Sequence, residues 1–195
     1  MNENTLSTKI DFPTGTNPQS VAVSDLNNDG KPDVVVTNYN NSNISAFRNT
    51  SASGAISFAA RLNFATGAEP IDIEVVDIDG DGLPDLAVAN SSGTVSILRN
   101  TSSGNSISFT AKVDFAIDSD LDSNPSYPLM LTSGDLNGDG RPDLVVISDG
   151  GNNVFSRTSQ HSTTGSITFN PKIDFSIGFA PADIALGRCG WKRKR

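Results

Sequence analysis

Three acidic segments of the chain carry side chains whose types and spacing suit a divalent cation. They are DLNNDGKPD (Asp25–Asp33, loop one), DIDGDGLPD (Asp77–Asp85, loop two) and DLNGDGRPD (Asp135–Asp143, loop three). All three follow the pattern D-x-[DN]-x-D-G-x-P-D. Ca²⁺ binds carboxylate, amide and carbonyl oxygens in flexible geometry. Because carboxylates this close repel one another, a bound cation would offset the repulsion, and we predict up to three Ca²⁺ sites.

Alternate positions of each loop are expected to supply the ligands. Positions one, three, five and nine offer side-chain oxygens, and position seven offers a backbone carbonyl, since its side chain varies freely. The glycine at position six permits a sharp turn with positive φ. The predicted ligands are Asp25, Asn27, Asp29, Lys31 and Asp33 in loop one, Asp77, Asp79, Asp81, Leu83 and Asp85 in loop two, and Asp135, Asn137, Asp139, Arg141 and Asp143 in loop three.

These loops differ from an EF-hand, which needs a Glu at position twelve between two helices. Here position twelve is Val36, Val88 or Val146, inside an apolar run. An ordinary Asp/Asn/Gly turn is the alternative for a single copy, but three copies that keep every ligand position favour calcium. Loop two has four carboxylates against three in each of the others, so its charge predicts that it binds Ca²⁺ most tightly.

The elements that must position the loops repeat along the chain. The loops begin 52 and then 58 residues apart. The motif KIDF at Lys9–Phe12 recurs as RLNF at Arg61–Phe64, KVDF at Lys112–Phe115 and KIDF at Lys172–Phe175. A fixed period of this length is the signature of a repeat architecture.

Each repeat is predicted to contain four short strands. In the first repeat they are Ser20–Ser24, Asp33–Asn38, Asn43–Asn49 and Ile56–Phe64, which are rich in Val, Ile and Phe and separated by Gly, Pro and Asn. Four strands in about 50 residues match the blade of a β-propeller. A β-sandwich also uses short strands, but it does not explain the period. We therefore predict an all-β fold of about three complete four-stranded antiparallel blades and the start of a fourth, as an incomplete or open propeller.

The third repeat contains an insertion. Asp25 lies 13 positions after Phe12, whereas Asp135 lies 20 positions after Phe115, and the extra residues lie around Asp118–Pro128. An insertion in one repeat maps to a loop on one face, which is often a binding face. This loop is our candidate ligand surface. It has alternating Asp residues but lacks the position-six glycine, so an acidic surface loop is favoured over a further cation site.

The C-terminal residues break the repeat. A fourth acidic loop is expected to begin at position 188, but the chain reads RCGWKRKR. We assign residues 1–187 to the repeat region and 188–195 to an anomalous basic tail. A one-nucleotide frameshift is our hypothesis, because reading the codons one base later permits an acidic loop in register. A basic nucleic-acid-binding tail is the alternative.

Composition excludes several classes of function. The net charge of −8 argues against binding the phosphate backbone of nucleic acids, which requires clustered Lys and Arg. No apolar run is long enough for membrane insertion as a helix, and no signal peptide is predicted within this chain. His161 is the only histidine and lies in a Ser/Thr-rich stretch. No set of residues has the character of a catalytic site, so we predict that the chain is not an enzyme.

The stretches VAVSDLNNDGKPDVVV, IEVVDIDGDGLPDLAV and TSGDLNGDGRPDLVVI resemble the FG-GAP/VCBS repeat family, which is known from integrin α-subunit propellers and bacterial secreted proteins. The resemblance implies propeller blades with a calcium loop between the first two strands. It also implies an extracellular or cell-surface location. Propellers of this family commonly have seven blades, so the chain is expected to be part of a larger propeller or multidomain protein.

Together these observations predict a non-catalytic, calcium-binding repeat module of a secreted or cell-surface protein. Its expected role is adhesion or interaction with an extracellular protein or glycan. The alternative is an accessory propeller of a larger secreted enzyme that acts on polysaccharides.

Overall fold

A computed structural model describes residues 9–117, 127–149, 153–157, 159–160, 167–171, 173–176 and 183–186. Over these residues the chain forms three four-stranded antiparallel sheets and one two-stranded sheet. One turn of 3-10 helix at Tyr39–Asn41 is the only helical segment described. Across the described part of the chain, no helix is long and apolar enough to cross a membrane. The predicted all-β fold of repeated four-stranded blades is confirmed.

The strands of each blade pair in sequence order. Blade one contains β1 (Pro18–Ser24), β2 (Asp33–Asn38), β3 (Asn43–Phe47) and β4 (Leu62–Ala65). Blade two contains β5 (Pro70–Val76), β6 (Asp85–Asn90), β7 (Thr94–Leu98) and β8 (Val113–Ala116). Blade three contains β9 (Tyr127–Gly134), β10 (Asp143–Asp149), β11 (Asn153–Arg157) and β14 (Ile173–Ser176), and the small pair consists of β12 (Ser159–Gln160) and β13 (Thr168–Phe169).

The prediction of one long fourth strand from Ile56 to Phe64 is wrong in its first half. Strand β4 is only four residues long, and the residues before it pair with the chain that follows β3. Thr50 N–H donates to the carbonyl of Ser57, and Ala59 N–H donates to the carbonyl of Arg48, both at 2.8 Å. Residues 48–59 therefore form a separate hairpin, which we call the side hairpin of blade one.

The same hairpin occurs in blade two at residues 99–110. Thr101 N–H donates to Ser108 at 2.8 Å, and Thr110 N–H donates to Arg99 at 2.9 Å. A polar side chain also stabilises this hairpin, since the hydroxyl of Ser102 accepts the N–H of Ser108 at 3.0 Å. The sequence prediction missed this change of pairing partner, because the composition of Ile56–Phe64 does not show which strand each residue pairs with.

The core lies between the blades. Strand β6 is buried along its whole length, and alternate residues of a strand face opposite sides of the sheet. Leu86 and Val88 therefore pack in the layer shared with blade one. Ala87 and Ala89 pack in the layer shared with blade three. Burial on both faces explains why β6 has no polar alternation and why the blades stack in chain order.

Pairs of phenylalanine rings also join consecutive blades. Phe64 of β4 meets Phe109 of the next side hairpin edge to face, with ring centroids 5.0 Å apart. Phe115 of β8 meets Phe169 of β13 in the same way at 5.2 Å. Edge-to-face pairs of this kind are worth about 0.5–1.5 kcal/mol beyond the area they bury. Phe residues that repeat in the sequence thus form contacts between consecutive blades.

Candidate metal centre

Each acidic loop joins the first two strands of its blade, as predicted. Loop one connects β1 to β2, loop two connects β5 to β6, and loop three connects β9 to β10. These strands are antiparallel neighbours whose last paired residues flank the loop, as in the pairs Ser24–Asp33 and Val76–Asp85. The short connection places all the predicted ligands of a loop at one hairpin tip.

The carboxylate at position one organises the backbone of its loop. Asp77 accepts hydrogen bonds from the N–H groups of Gly80 at 2.8 Å, Asp81 at 3.1 Å and Gly82 at 2.9 Å. Asp135 accepts the three equivalent bonds in loop three, and Asp25 accepts two of them in loop one. The sequence prediction gave this residue only the role of a ligand and missed its role as the acceptor that closes the turn.

Two positions of each loop have left-handed backbone. The position-six glycines have φ values of +84°, +87° and +84°, which confirms the predicted positive φ. Position four has φ values of 56°, 73° and 80° and is occupied by Asn28, Gly80 and Gly138. The second constraint was not predicted, although its signal was present, because Asn and Gly are the residues that adopt this conformation most readily.

The position-nine carboxylates are buried and tie each loop to its surroundings. Asp33, Asp85 and Asp143 are fully buried. Asp85 accepts the N–H of Ile78 at 3.0 Å and the N–H of Asn100 at 2.7 Å. Asp33 makes the corresponding bonds in blade one. The two oxygens of this residue therefore join the loop to the side hairpin of the same blade.

Burial raises the pKa of Asp85 to about 6. The backbone hydrogen bonds from Asn100 and Ile78 lower this pKa, while the charges of Asp79 and Asp81 raise it. Burial raises the pKa of Asp33 as well. A cation bound beside such a carboxyl group would favour its ionised form.

Loop two brings three carboxylates together. Ligand oxygens of Asp77, Asp79 and Asp85 all lie within 4.8 Å of one another. Because Ca²⁺ holds its oxygen ligands at about 2.3–2.6 Å, oxygens this far apart can share one ion. In the described part of the chain, such a group of three acidic residues occurs only in loop two. Loops one and three have an amide at position three, so they offer one carboxylate fewer.

A positively charged side chain from outside loop two also binds the carboxylates of this loop. Arg99, from the side hairpin of blade two, donates from Nε to Oδ2 of Asp79 at 2.6 Å and from Nη2 to Oδ2 of Asp81 at 2.7 Å. The Arg99 side chain is 22% exposed and that of Asp79 is fully buried. Arg99 was missed in the sequence prediction, and the only signal was its position in the motif RNTS, which occurs at residues 48–51 and again at 99–102.

Loop one has a buried amide whose oxygen lacks a hydrogen-bond partner. Asn27 donates from Nδ2 to the carbonyl of Gly104 at 2.8 Å and to Oδ2 of Asp29 at 3.2 Å. Its Oδ1 is buried and has no donor among the described residues. Buried polar atoms are normally satisfied, and an amide oxygen at this position is a ligand that Ca²⁺ accepts. This free oxygen makes loop one compatible with a bound cation.

Loop three satisfies its position-three amide internally. Oδ1 of Asn137 accepts the N–H of Asp139 at 2.8 Å, and Nδ2 donates to Oδ2 of Asp139 at 3.2 Å. The three loops therefore share one backbone shape but differ in what holds position three. All three loops hold position three by a bond within the loop, and loop one adds a bond to the neighbouring blade while loop two adds Arg99.

A family model described as FG-GAP-like repeat matches residues 2–36, 25–88, 77–129 and 135–187. The chain belongs to the FG-GAP-like repeat family. Each FG-GAP-like match contains at least one complete acidic loop. A comparison with curated proteins found no match.

Some predicted features of this FG-GAP-like chain lie outside the described residues. They include most of the inserted loop at Asp118–Pro128, His161 and the basic tail at 188–195. Strand β9 begins at Tyr127, near the end of the insertion. The frameshift hypothesis and the proposed ligand surface therefore stay predictions.

Proposed function

We propose that this FG-GAP-like chain is a non-catalytic calcium-binding module of a secreted or cell-surface protein, where it binds an extracellular protein or glycan. The convergence of Asp77, Asp79 and Asp85 within 4.8 Å carries the proposal. The buried, unpartnered Oδ1 of Asn27 supports it independently. Bound calcium would offset the repulsion among the carboxylates at one hairpin tip.

The chain's own residues prepare the loop for an ion. The position-one carboxylate and the left-handed glycine fold the loop back on itself, so that the side chains at positions one, three and nine converge. The buried position-nine residue fixes the loop to the side hairpin through two backbone N–H groups. The proposed role of the bound ion is therefore structural, since the ion would stiffen the hairpin tip between the first two strands of each blade.

The exposed face of blade one supports a place in a larger propeller. Val21 and Val23 on β1 are 63% and 61% exposed. Their counterparts in the second repeat are Ile73 and Val75, which pack in the layer between blades one and two. The same apolar positions are covered in one blade and uncovered in the other. We infer that a further blade, from the same protein, packs on this face.

Thermal unfolding with and without calcium tests the proposal. A ligand that binds only the folded state stabilises it, by about 2.7 kcal/mol when its concentration is 100 times its Kd. We expect the Tm to rise by several degrees in Ca²⁺ compared with EGTA, with less effect from Mg²⁺, which demands stricter octahedral geometry. The Asp77→Asn variant should show a smaller rise. An identical Tm in Ca²⁺ and EGTA would contradict calcium binding.

The interaction role needs its own test. An array of extracellular glycans probed with the protein in Ca²⁺ and in EGTA should show ligands that are lost when calcium is removed. Binding that is the same in both conditions would separate recognition from the calcium loops.

A further inference from the structure

We propose that Arg99 is the built-in cation of loop two: it holds the loop closed without metal and competes with calcium for the same carboxylates. The first half concerns the chain alone. The second half rests on the proposed function, because it concerns calcium in that loop.

The geometry places the guanidinium on oxygens that the ion would need. Arg99 binds Oδ2 of Asp79 and Oδ2 of Asp81. The other oxygen of each carboxylate already accepts a backbone N–H, from Asp81 at 3.1 Å and from Leu83 at 2.8 Å. Both predicted ligands are therefore engaged on both oxygens. A calcium ion that approached Oδ2 of either residue would compete there with the guanidinium.

The pairing also offsets the extra carboxylate of loop two. Loop two has four carboxylates, and the other loops have three each. The one positive charge of Arg99 is bonded to carboxylates of loop two and offsets one of the four, whereas Lys31 of loop one donates to the carbonyl of Ser51. The expectation that loop two binds calcium most tightly counted only the loop residues, and Arg99 reaches it from 18 or more residues away.

Arg48 provides a natural comparison within the same chain. It occupies the place of Arg99 in the side hairpin of blade one, since its carbonyl accepts Ala59 N–H as the Arg99 carbonyl accepts Thr110 N–H. Among the ion pairs found in the described residues, none involves Arg48. Position three explains the difference, because Asn27 is neutral and Asp79 is an anion.

The chemistry of the site suits arginine. Its planar guanidinium presents several donors in a fixed fork and stays charged at any pH the fold tolerates. It bridges two carboxylates here, and hydrogen bonds between charged partners are the strong ones. The largely buried position reduces screening by salt, which weakens exposed pairs. Loop two is therefore expected to stay closed in EGTA, while loops one and three depend more on the ion.

The experiment compares R99Q, R99K and the matched control R48Q in the full chain. Calcium binding is followed separately at each loop from the amide resonances of Gly30, Gly82 and Gly140. We expect R99Q to bind calcium at least about tenfold more tightly at Gly82, because the ion no longer competes with the two charge-assisted hydrogen bonds of Arg99, either of which alone is worth about that factor. R48Q should leave all three affinities unchanged. R99K should fall between R99Q and the wild type.

Thermal unfolding in EGTA tests the part that does not need calcium. R99Q should melt at a lower temperature than R48Q in EGTA. Adding calcium should raise the Tm of R99Q by more than it raises the Tm of R48Q. If R99Q is folded only in Ca²⁺, that result also supports the proposal. If R99Q is unfolded in both conditions, R99K decides: a folded R99K with a melting transition in EGTA supports the charge, and an R99K that is unfolded like R99Q overturns it.

The outcomes distinguish the two claims. An unchanged affinity at Gly82 in R99Q, with normal calcium binding elsewhere, overturns the competition but leaves the proposed function intact. Equal melting of R99Q and R48Q in EGTA overturns the built-in cation. If the wild type shows no calcium response at any of the three glycines, the proposed function fails, and the EGTA melting of R99Q still tests the ion pair.

Discussion

Replacing Asn100 by Ala tests how blade two holds loop one. The Asn100 side chain is fully buried. Its Nδ2 donates to the carbonyl of Leu26 in loop one at 2.8 Å and to the carbonyl of Pro84 at 2.7 Å. Its Oδ1 accepts the N–H of Ser102 at 2.8 Å. The bond to Leu26 crosses between blades, and the other two lie within blade two.

The size of the effect can be worked out by comparison with Asn49. Asn49 makes the two equivalent bonds within blade one, to the carbonyl of Pro32 at 2.7 Å and from the N–H of Ser51 at 2.8 Å. It makes no cross-blade bond among the described residues, and it is only partly buried. A buried polar group left without a partner costs about 1–3 kcal/mol. We therefore expect N100A to destabilise by about 4 kcal/mol and N49A by about 2 kcal/mol.

Urea unfolding of N100A and N49A measures this difference. Both variants truncate the same residue type at the same repeat position. The additional loss in the free energy of unfolding of N100A therefore reports the hydrogen bond to Leu26 and the burial of the Asn100 side chain. N100A should also weaken calcium binding at loop one, while N49A should leave loop two unaffected. If N49A costs as much as N100A, the cross-blade bond contributes nothing and the reasoning is refuted.

Three further predictions concern the same fold. Because burial raises the pKa of Asp85 from 3.8 to about 6, calcium-free protein should lose up to about 3 kcal/mol of stability as pH rises from 4 to above 6. Urea unfolding in EGTA measures this loss, and D85N with the same pH dependence as the wild type would refute the assignment. Gly67→Ala would place its Cβ 2.6 Å from Nδ2 of Asn90, so we expect a loss of about 1–3 kcal/mol by the same assay; an unchanged midpoint would show that Asn90 moves aside freely. Phe109→Leu should cost about 1 kcal/mol through the lost ring pair with Phe64, and a neutral effect would mean that the contact between these blades does not depend on ring geometry.

Much of the fold could be predicted because the loops act as markers. Their spacing defined the blades, and strand β2 was predicted with its observed bounds, Asp33–Asn38. The glycine at position six requires a left-handed backbone, which is a local property that a sequence displays directly. The family followed from the same residues.

The contacts that distinguish the three loops could not be predicted. Arg99 and Asn100 reach their partners across the chain, and their types alone do not say whether they face a loop or solvent. The side hairpins were missed because a strand-like stretch such as Ile56–Phe64 is predicted as one strand even when its two halves pair with different neighbours. The position-one Asp was recognised as an oxygen donor for metal, but its hydrogen bonds to the backbone depend on the folded turn.

Calorimetric titration of Ca²⁺ into metal-stripped protein tests the central claim most directly. The matched control is the triple variant D29N/D81N/D139N, which changes position five in every loop. The wild type should bind calcium saturably at no more than three sites, and the triple variant should lose most of that binding. A wild type that shows no saturable binding, or a triple variant that binds as well as the wild type, would contradict the assignment of these loops as calcium sites.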